Sequence, residues 1–557
     1  MEKAVIYQIF TRVCCNSGGR NIPGGDISTN GSGKLNSFTP TVLEGIKSMG
    51  VTHIWFTGLI AHASCTDYGK FGIPASHAGT VKGKAGSPYA IRDYYDIDPD
   101  LAVSVPDRMA EFQSLVDRVH DAGMKFIMDF VPNHVAREYH SIMKPKGVRD
   151  LGKNDDVNIG FSPRNNFYYI PGQALGGEVD WGDYKEFPAR ATGNDQFSAT
   201  PSYSDWYETV KLNYGVDYTG GGAHCFNPVP DTWNKMLRIL LYWAGKGVDA
   251  FRCDMAEMVP VEFWNWVIPR VKDKHKNIVF IAEIYNPGSY SSYIGYGGFD
   301  YIYDKVGLYD TLRAIVESRE SATVITRCWQ QTGANGPHML HFMENHDEQR
   351  LASRFFGGNA IKGRPAMIVS ALIDCCPVMI YSGQEIGEPG MDQEGFSGLD
   401  GRTTIFDYWA PDSLTRLYND GKWDDARLTR DERDLRAFYS TLLRICNQEH
   451  AVSDGRFFDL MYVNPMSESF NPHKQYAFMR SDSHDAVLVV TNFSDQPLNT
   501  TVNIPQHAFD YMELKERDGI TVKELLSGQS FKANIRPDSP IRITAPAQSG
   551  VVLKWKI

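Results

Sequence analysis

No two cysteines in this 557-residue chain are spaced CxxC, and the total of nine is odd. Neither a disulfide framework nor a cysteine-held zinc is read from such a set. The adjacent pairs Cys14–Cys15 and Cys375–Cys376 fit a reducing compartment better. No apolar run approaches the roughly 20 residues a membrane span needs. The opening MEKAVIYQIF has no basic stretch leading into a long apolar one, so it reads as a strand and not as a leader. The expectation is a cytoplasmic protein with no membrane partner. Positive charge is also short: the net charge is −11, which argues against a nucleic-acid partner, since phosphates call for a basic face. Internal repeats and low-complexity tails are missing too.

What is present fits a soluble globular protein. Apolar residues make up 42% and charged ones 22%, and the length implies two or three domains. Eight short apolar runs alternate with helical periodicity: Ala4–Phe10, Val51–Thr57, Lys125–Phe130, Val248–Cys253, Val279–Ile284, Phe299–Tyr303, Met339–Glu344 and Val378–Tyr381. The helix spanning Pro106–Gly123 puts Met109, Phe112, Leu115, Val116 and Val119 on one face. Asp231–Gly245 and Val261–Lys272 behave similarly, with Gly123, Gly245 and Gly247 at helix ends. Eight strands with parallel connections predict a closed (β/α)8 barrel. A doubly wound sheet is the competitor, but no glycine-rich phosphate turn follows the first strand.

Two connections are long. Gly58 to Asp96 follows the second strand, and Val135 to about Tyr218 follows the third. The second of these lacks helical period and is rich in Gly, Asn, Asp, Pro and Tyr, as functional loops and small inserted domains are. After a helix over Asp431–Asn447, alternating runs such as Tyr476–Met479, Ala486–Thr491 and Val551–Trp555 predict an antiparallel β-sandwich. The expected domains are therefore barrel over 1–134, insert over 135–218, barrel over 219–450 and sandwich over 451–557.

Four of the predicted strands end in acids. The third ends DFVPNH, with Asp129, Asn133 and His134. The fourth ends FRCD, with Arg252 and Asp254; the fifth ends at Glu283; the seventh ends ENHD, with His346 and Asp347. A single strand-end aspartate is most often a helix cap. Several aimed into one barrel mouth cost repulsion and desolvation, which a fold tolerates where the charge is used. Cleavage of a glycosidic bond uses such a set: one carboxylate attacks the anomeric carbon and another carboxyl protonates the leaving oxygen, roughly 5–5.5 Å apart for retention. Adjacent parallel strands lie roughly 4.8 Å apart, so Asp254 and Glu283 on strands four and five can meet that spacing. Arg252, two residues before Asp254, shares its side of the strand and can hold it ionised. Glu283 needs a raised pKa to act as an acid. Asp347 can stabilise positive charge on the sugar ring, and His134 and His346 can donate to its hydroxyls.

These segments, in this order and on strands three, four, five and seven, resemble the four signature segments of the α-amylase family of glycoside hydrolases. VIYQIF, SPYAIRDYYDIDPDL and YSGQEIG extend the likeness along the chain, and VKLNY around Leu212 and Asn213 weakly resembles a fifth segment. The resemblance implies a barrel with an inserted domain, a C-terminal sandwich, and retaining cleavage of α-glucosidic, mainly α-1,4, bonds in maltooligosaccharides or α-glucans. It implies Asp254 as nucleophile, Glu283 as acid/base and Asp347 as the third carboxylate. Asp129, His134, Arg252 and His346 match the substrate-binding shell, and Tyr89 the aromatic platform under the sugar. The family's Lys-His after the nucleophile is replaced by Glu257 and Met258, which the resemblance places against substrate on the leaving-group side. No cofactor is required for the chemistry. The resemblance leaves a structural calcium open, with Asn133, an insert aspartate and a backbone carbonyl as its oxygen ligands. A transglycosylase or isomerase would use the same intermediate. A non-catalytic scaffold would have lost a carboxylate, and a metal-dependent hydrolase would show several strand-end histidines. Oligomeric state is not legible.

Overall fold

The computed structural model describes residues 3–390, 395–537 and 539–557. Eight parallel strands close a barrel: β1 Val5–Phe10, β2 His53–Thr57, β3 Lys125–Phe130, β4 Ala250–Cys253, β5 Val279–Ala282, β6 Tyr301–Tyr303, β7 Met339–Phe342 and β8 Val378–Tyr381. Each pairs with its sequence neighbours, and β8 closes onto β1 with Val5 opposite Val378. All eight predicted runs are barrel strands. Their near-continuous apolar character follows from burial on both faces, inward by the barrel core and outward by helices.

The helices form where apolar residues recur at helical spacing. They include α1 Pro40–Lys47, α2 Arg108–Asp121, α3 Asp231–Ala244, α4 Val261–Lys274, α5 Tyr290–Gly295, α6 Asp310–Val316, α7 Val324–Thr332, α8 Arg364–Leu372 and α9 Arg430–Gln448, with other short helices elsewhere. In α2 the buried stripe is Phe112, Leu115, Val116 and Val119. α3 buries Trp233, Met236, Leu240 and Trp243. Gly123 and Gly247 close α2 and α3 at φ of 75° and 93°, where a side chain is disfavoured. α9 starts at a capping box: Thr429 and Glu432 bond each other's backbone N–H.

The β2–β3 and β3–β4 connections build the barrel mouth. In the first, Ile60–His62 pairs antiparallel with Ile91–Ile97. The second is mostly irregular, as its composition predicts, and is tied by two-stranded ribbons: His134–Ala136 with Thr209–Lys211, and Tyr169–Ile170 with Ala189–Arg190. Buried Glu186 bonds both Arg137 (2.9 Å) and Arg190 (2.7 Å) inside it.

Eight C-terminal strands follow: β9 Arg456–Asp459, β10 Gln475–Ser481, β11 Asp485–Asn492, β12 Leu498–Val502, β13 Arg517–Glu524, β14 Ser530–Ile535, β15 Ile541–Ala545 and β16 Ser549–Lys556. They form an antiparallel sheet ordered β9-β10-β11-β16-β13-β14 and a second pair, β12-β15. Strand alternation divides the large sheet between two cores. Tyr476, Phe478, Val487, Val489 and Val552 join the barrel's core. Ala477, Met479, Leu488, Val490, Leu553 and Trp555 form the sandwich core with Val502, Phe509 and Ile541. Arg480 sits at the seam, 2% exposed. It donates to four backbone carbonyls: Ala451 (3.3 Å), Ile373 (3.1 Å), Val452 (3.2 Å) and Gly455 (2.7 Å).

Replacing Arg480 orphans those carbonyls, each left unsatisfied at roughly 1–3 kcal/mol. Arg480→Met is expected to lower stability by about 3 kcal/mol or more, read from the denaturant midpoint. A variant within 0.5 kcal/mol, roughly the scatter of ordinary surface substitutions, would show that the seam does not depend on it.

Candidate active site

Barrel register brings the acids to one level. Arg252 lies opposite Asp129 on β3 and Ile281 on β5. One step further, the amide of Asp254 bonds the carbonyl of Phe130 (2.9 Å) and the amide of Glu283 bonds that of Cys253 (3.1 Å). Asp254 and Glu283 therefore leave neighbouring strands side by side.

Arg252, 0% exposed, is the hub. Its Nη1 donates to Asp129 Oδ1 at 3.2 Å and to Asp254 Oδ1 at 3.0 Å, and its Nη2 lies 2.9 Å from Glu283 Oε2. Nε donates to the Tyr303 hydroxyl at 3.1 Å. The guanidinium lies 5.2–5.5 Å from the ring centres of Trp55, Tyr89 and Tyr303, favourable cation–π range. Burial works against its charge, but Glu283, Tyr303, Tyr89 and Asp129 outweigh that and hold it well above its ordinary pKa. Trp55 Nε1 donates to the other oxygen of Asp129 at 3.0 Å.

Glu283 is held at both oxygens. Oε2 accepts from the Met255 amide at 2.7 Å, and Oε1 from the Tyr285 hydroxyl at 2.5 Å. Met255, the residue after Asp254, has φ of 44°, a left-handed conformation that costs a side-chain-bearing residue on the order of 1–3 kcal/mol. Glu283 thus fixes the strained turn that presents Asp254. Asp347 reaches the same cavity from the loop after β7, where Asn345 accepts from the amides of Asp347 and Glu348 (2.9 Å each). Its side chain is 38% exposed, against 8% for Asp254 and 3% for Glu283.

One guanidinium faces three buried carboxyls, and burial raises two of them, Asp254 and Asp129. Burial, then Glu283, pushes Asp254 well above the usual carboxylate range, with Arg252 opposing. Burial pushes Asp129 up to about 7 against the pull of Arg252. Asp347 is also raised by burial. The proton belongs to the coupled set and not to one member.

Both predicted histidines line this region as neutral rings. Burial, helped by Lys211 and Lys82, lowers His134 to about 3; burial and Arg252 lower His346 to about 3. Gln8 Nε2 stands 2.8 Å from His346 Nδ1, so the ring proton sits on Nε2, facing the Tyr89 hydroxyl and Asp347 Oδ2 (3.2 Å). Tyr89 stacks on His346 with ring centres 5.3 Å apart. A cavity of about 250 Å³ opens between these groups. Tyr89, His134, Asp254, Glu283 and Asp347 line it, with Lys82, Trp206, Glu208, Tyr285 and Phe406. Arg252, Asp129 and His346 stand behind that lining.

Glu257 and Met258 depart from expectation. Neither lines the cavity. Both oxygens of Glu257 accept backbone amides of the loop after β5, from Tyr285 (3.1 Å) and Asn286 (3.2 Å), so its charge is spent on that loop. The Met258 carbonyl accepts from Lys211 Nζ at 3.1 Å. Asn133, the expected calcium ligand, offers its oxygen to the same ammonium. The groups present do not fit a calcium ion, because the Lys211 ammonium already occupies the place between these oxygens. Among the described residues, no cluster of three or more His, Cys, Asp or Glu could hold a metal.

Several contributors escaped the sequence reading. Tyr285 had a signal, since it follows Glu283 by two and so shares its side of the chain. Gln8, Trp55 and Tyr303 are ordinary strand residues until the barrel closes. Trp206, Lys82, Glu208 and Phe406 come from irregular loops without any period.

The family model "Alpha amylase, catalytic domain" matches residues 8–286, and "Alpha amylase, C-terminal all-beta domain" matches 468–556. The chain belongs to the α-amylase family. Among family relatives, an α-amylase of Streptomyces lividans is 24% identical over 550 residues, covering 92% of this chain and 55% of that protein. Neopullulanase 2 of Thermoactinomyces vulgaris is 22% identical, covering 99% and 77%. The chain spans 55% and 57% of the first two curated relatives, the second an α-amylase of Haloarcula japonica. A maltogenic α-amylase structure from Thermotoga neapolitana superposes at a TM-score of 0.61 and 19% identity, covering 100% and 99% of the two chains, which shows the shared fold.

The raised Asp129 has a sign that can be checked. With a folded pKa near 7 above the ordinary value of about 3.9, its protonated form stabilises the fold below about pH 4. That stability is lost as pH rises through about 7, by up to about 4 kcal/mol. The stability difference between wild type and Asp129→Asn should therefore move in the variant's favour between pH 4 and 8. Parallel pH profiles from urea unfolding would rule out the shift.

Proposed function

We propose that this chain is a retaining glycoside hydrolase that cleaves α-glucosidic, mainly α-1,4, bonds in maltooligosaccharides or α-glucans. One observation carries the reading: a single buried guanidinium holds Asp254 and Glu283 side by side, with Asp347 lining the same cavity. In this reading Glu283 protonates the glycosidic oxygen while Asp254 attacks the anomeric carbon. The leaving sugar departs and a covalent glycosyl-enzyme forms. Glu283, now ionised, takes a proton from water, whose oxygen replaces Asp254 at the same carbon. Asp347, the most exposed of the three, stabilises the positive ring in both steps. Tyr89 forms the platform with His346 stacked behind it, and the neutral His134 donates to a sugar hydroxyl without adding charge that would oppose an oxocarbenium ion.

The cavity is small beside the roughly 300–1,000 Å³ of ordinary ligand sites. The Lys82–Glu208 ion pair (3.0 Å), Trp206 and Phe406 wall it. This supports short oligosaccharides or chain ends as preferred substrates. All nine cysteines are unpaired, which supports a reducing compartment. Among the described residues, no helix is long and apolar enough to cross a membrane.

Maltotriose, maltoheptaose, pullulan, starch and sucrose should be compared by NMR of early products. The expected result is an initial α-anomer and the highest kcat/KM on the shortest α-1,4 substrates; an initial β-anomer defeats retention. Asp254→Asn is expected to lose at least about 10³-fold in kcat with an unchanged circular dichroism spectrum. Wild-type turnover in that variant ends the assignment.

A further inference from the structure

Beside the cavity, the ammonium of Lys211 is enclosed by three oxygens from three separate segments. Nζ lies 2.7 Å from Asp195 Oδ1 in the insert and 3.1 Å from the Met258 carbonyl in the β4 loop, and it donates to Asn133 Oδ1 just past β3. An ammonium has three N–H donors and no acceptor, and here each donor has one oxygen. The side chain is 2% exposed, and Nζ also stands 5.6 Å from the Tyr218 ring centre. Its placement is set by backbone pairing, since Lys211 is directly opposite His134 in the ribbon of His134–Ala136 with Thr209–Lys211. A calcium ion in this spot would need six to eight oxygens at roughly 2.3–2.6 Å. The three oxygens here are already committed to a monovalent cation that is part of the chain.

We propose that Lys211 is a built-in cation standing in for a bound metal, joining barrel, insert and β4 loop so that the fold needs no calcium. The inference does not rest on the proposed reaction. The joined segments back the cavity directly. Asn133 precedes His134, and Met258 follows Glu257, whose carboxylate holds the loop carrying Tyr285. Losing the charge removes the ion pair to partly exposed Asp195 and the hydrogen bonds to Asn133 and Met258, and it orphans the side-chain oxygen of fully buried Asn133.

The test uses the full-length chain. Thermal unfolding of the wild type should give Tm values within about 1 °C in excess calcium and in excess EGTA, and elemental analysis should find no stoichiometric calcium. Lys211→Met keeps the aliphatic stem and deletes the charge. Its Tm in EGTA should fall by at least about 3 °C, with part recovered on adding calcium to the freed oxygens. A wild type that carries one calcium per chain, or whose Tm rises with calcium, overturns the proposal without any variant. A Lys211→Met protein as stable in EGTA as the wild type overturns it equally.

Discussion

The geometry of the site depends on one buried positive charge. Arg252 answers Asp129, Asp254 and Glu283 from the centre of the barrel mouth. Without it, three carboxyls would share a poorly solvated space and would hold protons or move apart. With it, they stay close and oriented, and one guanidinium against three carboxyls leaves two negative charges unanswered, which favours protonation of Asp254 and Asp129. A guanidinium suits this role because it is flat and forked. Trp55, Tyr89 and Tyr303 fix its plane, and the Tyr303 hydroxyl takes the remaining Nε–H.

The scaffold and the loops divide the work. Barrel register fixes the level of Asp129 and Arg252 within the closed sheet and of Asp254 and Glu283 one residue past their strands. The loops after β2, β3 and β8 supply Tyr89, Trp206 and Phe406 and decide how much room remains. Long irregular loops need anchors of their own. In the insert those anchors are charged groups in buried places, Glu186 between Arg137 and Arg190 and Lys211 among its oxygens. Such pairs tolerate little rearrangement, because breaking one leaves an uncompensated charge away from water.

Glu257 and Met258 lie outside the lining of the cavity that Asp254 and Glu283 share. Counting from Asp254 puts them near the leaving group. The turn after Asp254, however, passes through the left-handed Met255, and it directs Glu257 toward backbone amides of the loop after β5. Met258 turns its carbonyl to Lys211 (3.1 Å) and its sulfur to Asn133 Nδ2 (3.8 Å). A count along the chain does not register a change of direction made by one residue's φ.

By itself, the sequence determined the eight barrel strands, their order, the C-terminal sandwich and the strand-end acids. Each of these is a local pattern: apolar runs, period-two alternation, or an acid where a strand stops. Tertiary structure alone decided that Tyr303 and Trp55 embrace Arg252, that Gln8 sets the proton on His346, and that Lys211 occupies the oxygens of Asn133, Asp195 and Met258. Apart from that of Asp195 with Lys211, those contacts join segments from 47 to 338 residues apart, and no short-range periodicity encodes them. They exist only once the barrel closes and burial makes an unpaired charge or hydrogen-bonding group too costly to leave alone.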